Sequence, residues 1–290
     1  MSTNTPIWKL KSWINFDYLD WDYLSLNPRA IKLLEKNSDK INWGYLSYNE
    51  GAIELLKKNP DKINWNNLNF NNNAYEILSD YYHKINWTII SINPRIMDFY
   101  NKFKSEYELI LNNPSDISWV HLTANENAFK EIIKDKLSTI EYYRSLCTNP
   151  NEEVIEILNK KNLSKTEYHF LNFNKNPKAV KLLETNCPEK INWYVLSSNE
   201  GAIETLKRNL DKINWCQLSR NTLAMEILEK NKNMINWHNL SANPSIFELD
   251  YEAMKINNEG FYEDLIKEVM KPSRVFKNPD YDYLDELFGD

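Results

Sequence analysis

Glycine is scarce, with five in 290 residues. Loops that cradle phosphate depend on it, and neither G-x-x-x-x-G-K-[ST] nor G-x-G-x-x-G occurs, which argues against nucleotide-binding folds built on Gly-rich turns. Cysteine is as sparse. Cys147, Cys187 and Cys216 stand alone, in no C-x-x-C pair, and suit free thiols in a reducing compartment. No apolar run reaches the length of a membrane span and the first ten residues lack the apolar stretch of a signal peptide, so a soluble, intracellular protein without a membrane partner is expected. Aromatic residues are plentiful. They make up 13% of the chain, 10 of them Trp, and with 42% hydrophobic residues they exclude wholesale disorder.

A repeat organises the chain. INWGYLSYNEGAIELLKKNPDKINW, from Ile41 to Trp65, recurs from Ile191 to Trp215 with six differences. Anchored on the aromatic, ten units begin at Trp21, Trp43, Trp65, Trp87, Trp119, Tyr143, Phe170, Trp193, Trp215 and Trp237. The basic period of 22 is interrupted by insertions between 96 and 170, and Ile14-Asn15-Phe16 with Leu19 reads as a partial copy that starts the array.

Six residues after each aromatic stands Asn: Asn27, Asn49, Asn71, Asn93, Asn125, Asn149, Asn176, Asn199, Asn221 and Asn243. Asn is a favoured N-cap, and Pro follows it in five units, at the first helical position, where its missing N–H costs nothing. Apolar residues then recur at helical spacing, as in Ala30, Ile31, Leu33 and Leu34. In the other half, Asn42 can cap a shorter helix that places Trp43 and Leu46 on one face. Each unit therefore reads as two short antiparallel helices. About six apolar side chains at ~1.5–3 kcal/mol each cannot offset roughly 1.5 kcal/mol of ordering cost per residue, so neighbours must stack. A leucine-rich repeat has a similar period but needs an alternating L-x-L strand, which is absent. The expected fold is all-α: an α-solenoid of about ten two-helix repeats, with the Trp row in its core.

The I-N-W-x-x-L-S-x-N string, over about Trp21 to Pro244, resembles the tandem repeat of uncharacterised proteins from mimivirus-type giant DNA viruses, and the Asn, Lys and Ile bias suits their AT-rich genomes. That resemblance implies an origin, and with it a place in the host cytoplasm, the viral factory or the virion. It implies no activity.

Residues 248–290 carry twelve acids and five bases, leaving 29 acids and 30 bases in the remainder. A nearly neutral array lacks the basic stripe that nucleic acid requires. His83, His121, His169 and His238 fall in different units at different repeat positions, and no nucleophile and base converge, so no catalytic, metal or cofactor-binding residue is assigned. Positions free of packing constraint are the informative ones. Five residues after the aromatic stand Leu26, Tyr48, Phe70 and Ile92, followed in later units by Ala124, Thr148, Lys175, Ser198, Arg220 and Ala242. With Tyr23, Tyr45 and Ile89, the first four either form an exposed apolar ridge of interface composition or lie between stacked helices.

The expected function is a non-enzymatic scaffold for a viral or host protein; alternatives are a structural component of the virion or factory and a diverged enzyme. The expected organisation is an N-terminal cap and partial repeat (1–20), the array (21–247), and an acidic helical cap and tail (248–290). An open stack must hide its last apolar face, and Phe261, Leu265, Ile266 and Val269 assign that role to residues 259–271. Beyond them, residues 280–290 read as an acidic amphipathic tail that folds back or docks elsewhere.

Overall fold

A computed structural model describes residues 6–103, 119–128 and 143–256. The inserted stretches 104–118 and 129–142, the expected cap helix 259–271 and the tail 280–290 lie outside the described residues. Those described are mostly helical, with one two-stranded sheet. No helix among them is long and apolar enough to cross a membrane. The chain divides into a repeat body, Trp13–Ile246, and a terminal body that joins Met1–Ser12 to Phe247–Asp290.

In the repeat body the first helices are about one turn long, as in Trp21–Leu24, Trp43–Leu46, Trp65–Leu68 and Trp215–Leu218. Most start on an Asn whose side chain accepts from a first-turn N–H, Asn42 from Tyr45 for example. Three residues after the aromatic, an aliphatic side chain is fully buried in every unit, from Leu24, Leu46, Leu68 and Ile90 through Leu122 and Leu146 to Leu171, Leu196, Leu218 and Leu240. This column is the core. The repeat tryptophans whose burial is described, expected there, are half-buried instead, and in several units a lysine from the following connector covers the exposed ring: Lys40 over Trp21 at 4.4 Å, Lys62 over Trp43 at 4.5 Å, Lys212 over Trp193 at 4.9 Å. Second helices follow, such as Ile53–Lys57, Glu152–Lys160 and Pro177–Asn186, and short 3-10 connectors such as Ser38–Lys40 lead to the next unit.

The Asn column does more than cap. Each side-chain oxygen accepts from the backbone N–H two residues on, as expected of a helix start. Each side-chain nitrogen donates backwards to backbone carbonyls of the preceding unit: Asn49 to Ser25 O (2.8 Å) and Asn27 O (2.9 Å), Asn221 to Ser197 O (3.3 Å) and Asn199 O (3.0 Å). All ten amides are buried. Such a group must find its partners inside the protein, and here they bolt one unit to the next. A second column runs alongside, in which Ser25, Ser47, Ser197 and Ser219 accept from the N–H of the next unit's capping Asn at 2.9–3.0 Å.

Unit 7 shifts the expected register. Its ladder residue is Asn174, which donates to Cys147 O (2.8 Å) and Asn149 O (2.9 Å), whereas Asn176 caps the helix Pro177–Asn186 and is only half-buried. The aromatic anchor is therefore Tyr168 and the core residue Leu171, not Phe170 and Phe173.

The array has no open end. Asn27, in the first unit, donates to Ser241 O and Asn243 O of the last, both at 3.0 Å, as Asn49 does to Ser25 O and Asn27 O. The N–H of Asp20 donates to Ser241 Oγ (2.9 Å), continuing the serine column across the same junction. Ten units thus form a closed ring, in place of the open, end-capped stack that the repeat suggests; the last apolar face is covered by the first unit. The segment expected to be a partial repeat is the missing connector: the 3-10 turn Phe16–Tyr18 occupies the place of Ser38–Lys40, and Tyr18 meets Trp237 (5.2 Å) where Lys40 lies over Trp21. The tenth unit is built from both chain ends, with Trp237–Ser241 from one and Phe16–Tyr18 from the other.

Neighbouring first helices touch directly, as where Asn67 donates to Gly44 O and Gln217 to the Tyr194 hydroxyl. Clefts separate neighbouring second helices, spanned by long ion pairs such as Lys178–Glu152 (2.8 Å) and Lys57–Glu76 (2.7 Å). The wider layer of a closed ring is its outer one, so the first helices face the axis.

In the terminal body, β1 (Trp8–Leu10) pairs antiparallel with β2 (Phe247–Leu249), Lys9 opposite Glu248.

Candidate interaction surface

On a one-turn helix whose third residue after the aromatic points to the core, the first and fifth point roughly the opposite way and the second flanks them. Those three positions line the ring's inner wall. By geometry alone, a circle of ten helices at the usual ~8–10 Å spacing, with side chains reaching ~5–6 Å from each axis, has room for a bore about 15–20 Å wide.

The sequence-assigned residues all fall on this wall. Tyr48 and Phe70 are 37% and 42% exposed with rings 5.5 Å apart, and Ile92 is 44% exposed, so the fifth-position row runs on from the half-buried Leu26 without a break. The second-position row is shorter. Tyr23 and Tyr45 meet edge-to-face at 6.1 Å, Asn67 then interrupts with its bond to Gly44, and Ile89 stands half-buried beyond it. Tyr23 also touches His238 across the junction of the last and first units, at 5.8 Å.

The shifted register of unit 7 changes the far side. Its fifth-position residue is Phe173, 49% exposed and against His169, in place of the Lys175 read from sequence. Tyr194, 57% exposed, joins the wall in unit 8. Both escape a search by composition, Phe173 because Asn176-Pro177 resembles the ladder dipeptide, Tyr194 because only its helical position marks it. Arg144 and Arg220 are exposed on this polar side, the Nε of Arg220 donating to Asn239 Oδ1 at 2.8 Å.

Burial pushes the Cys147 thiol up to about 12, and Cys187 is also raised, by burial first and then by its bond with Glu189; both are thiols at neutral pH. Glu189 is lowered, by a backbone hydrogen bond first, and the other shifts belong to exposed outer-layer pairs, Lys178 being raised and Glu152 lowered by the hydrogen bond between them. Among the described residues no three His, Cys, Asp or Glu side chains converge as a metal site would need. What the wall offers is apolar, aromatic contact area. The chain matches no known family, no characterised protein and no solved structure.

Proposed function

We propose that the protein is a non-catalytic scaffold, an α-solenoid closed on itself, that holds a polypeptide segment of a protein partner against the aromatic arc of units 1 to 4. The observation that carries this reading is the row Tyr48, Phe70 and Ile92, large apolar side chains held open to solvent on a framework whose own bonds do not use them. Exposed aromatics of this kind supply the anchors of protein interfaces. A bore of about 15–20 Å accepts an extended chain or one α-helix, about 10–12 Å across with its side chains. The kinship with giant-virus repeat proteins belongs to the same proposal, and makes the partner a protein of the virus or its amoebal host.

The test is capture from infected amoebae with the wild type, the Tyr48→Ser/Phe70→Ser variant and an outer-layer control, Glu54→Ala. A protein held by wild type and control but lost by the double variant, with melting temperature nearly unchanged, is the expected result. Undiminished capture by the double variant contradicts the reading, as does a loss of several kcal/mol of stability, which would make these side chains part of the core.

A further inference from the structure

The inner wall is sorted by charge. Across its three positions in each of ten units, the acidic and basic side chains are Asp22, Arg144 and Arg220, with the histidines His121, His169 and His238. The chain carries 41 acids, 29 lysines and 6 arginines, so one acid, no lysine and a third of the arginines face the bore. Lysine is a point charge on a flexible stem, whereas the planar guanidinium grips a carboxylate with two bonds at once and is the cation enriched at interfaces. The one acid, Asp22, already accepts from Asn42 Nδ2 at 3.0 Å.

Both arginines are exposed, and neither forms an ion pair among the described residues. Arg220 is held in place. Buried Asn239 donates to Cys216 O (2.8 Å) and accepts from Arg220 Nε (2.8 Å), which fixes the guanidinium by one edge and leaves its terminal amino groups without a bond among the described residues. In a ring of ten, each unit stands across from the fifth unit on. Arg144 and Arg220, in units 6 and 9, therefore face the two ends of the aromatic arc, units 1 and 4.

We propose that the segment held in the bore is an acidic amphipathic helix, its apolar side on the arc of units 1 to 4 and its carboxylates on Arg144 and Arg220. The inference rests on the scaffold reading above and adds the chemistry of the partner. A helix about 10–12 Å across fills such a bore and offers two opposite faces of different chemistry, which is how the two sides of the wall differ. Single-stranded nucleic acid fits less well. Two arginines neutralise few phosphates, and Phe173 and Tyr194 in the units between them break any basic track.

Selection from a library of random peptides about 16 residues long, ~24 Å as a helix, on the full-length protein tests this. The pool held by the wild type should be enriched in Asp and Glu on one helical face and in large apolar residues on the other. The pool held by Arg144→Gln/Arg220→Gln should keep the apolar residues and lose the acids, and peptides recovered with the wild type should bind this variant at least about tenfold more weakly. Lys207→Gln/Arg208→Gln, which removes the same charge from the outer layer, should change their affinity less than about twofold. Apolar enrichment without acids overturns the inference and leaves the scaffold reading standing; a pool with neither feature, or no pool, removes both. Two other occupants are read in the same assay. Displacement of the recovered peptides by an oligouridylate would put RNA in the bore, and a gain of about tenfold in their affinity for Asp285→Asn/Glu286→Gln would put the chain's own tail there. Either result overturns the proposal.

Discussion

Units 2 and 8 are nearly identical in sequence, whereas units 5 to 7 keep neither the 22-residue spacing nor the tryptophan throughout, yet both regions make the same buried Asn bonds to their neighbours. Asn125 reaches back 32 residues to Asn93, and Asn174 reaches 25 to Asn149, where Asn71 needs only 22 to reach Asn49. Insertions are absorbed outside the ladder. The Ser position accepts Asn69 and Asn172 as well, each of which donates to the connector carbonyl, Lys84 or Lys190, and accepts from the next capping N–H at 2.7 Å. What the ring keeps in all ten units is one buried Asn and one buried aliphatic residue three positions earlier; the acceptor between them is absent from unit 6, where Cys147 stands and the N–H of Ser164 donates to Glu167 instead.

The irregular region is the sharpest place to break that rule. Asn174→Ala removes a cap and leaves the buried carbonyls of Cys147 and Asn149 without their partner, a cost of about 2–4 kcal/mol by chemical denaturation. Asn176→Ala, two residues on, loses a half-exposed cap and should cost only about 0.5–2 kcal/mol. The reverse order would restore the register read from sequence. Asn27→Ala extends the comparison to the junction of the last and first units: in a closed ring it costs as much as Asn49→Ala, and in an open array almost nothing beyond the cap.

A smaller effect separates this junction from the others at the connectors. Tyr18→Ala loses an aromatic pair with Trp237 and should cost about 0.5–1.5 kcal/mol, more than Lys40→Ala, whose exposed stack on Trp21 is worth about 0.5–1 kcal/mol. Equal losses would mean that this junction is no different from its neighbours.

The helix pairs, their caps and the neighbours' mutual dependence are legible in the sequence because each is a local pattern: an Asn before an apolar face, a Leu three after an aromatic. Ring closure is not local. It depends on ten small rotations adding up to a full turn, and no single unit records its own rotation. One trace is present, since Tyr18-Leu19-Asp20-Trp21 runs parallel to Lys40-Ile41-Asn42-Trp43, a connector with no unit before it. Unit 7 misleads for a related reason. Tyr168, Leu171 and Asn174 keep the ladder spacing, but Asn176-Pro177 imitates the commoner dipeptide and draws the register two residues along. The inward row was found because it varies where the framework does not, while its neighbours Phe173 and Tyr194 depend on a register and a helical face that only the structure supplies.

Closure of the ring is tested most directly by comparing two distances. Nitroxide labels on the exposed, equivalent positions Lys32 and Glu76 report units 1 and 3, and labels on Lys32 and Glu226 report units 1 and 9, in a Cys216→Ser background. In a ring of ten, both pairs lie two units apart, and the two distance distributions should coincide. A Lys32–Glu226 distance several times the Lys32–Glu76 distance would set units 1 and 9 eight units apart and contradict the ring.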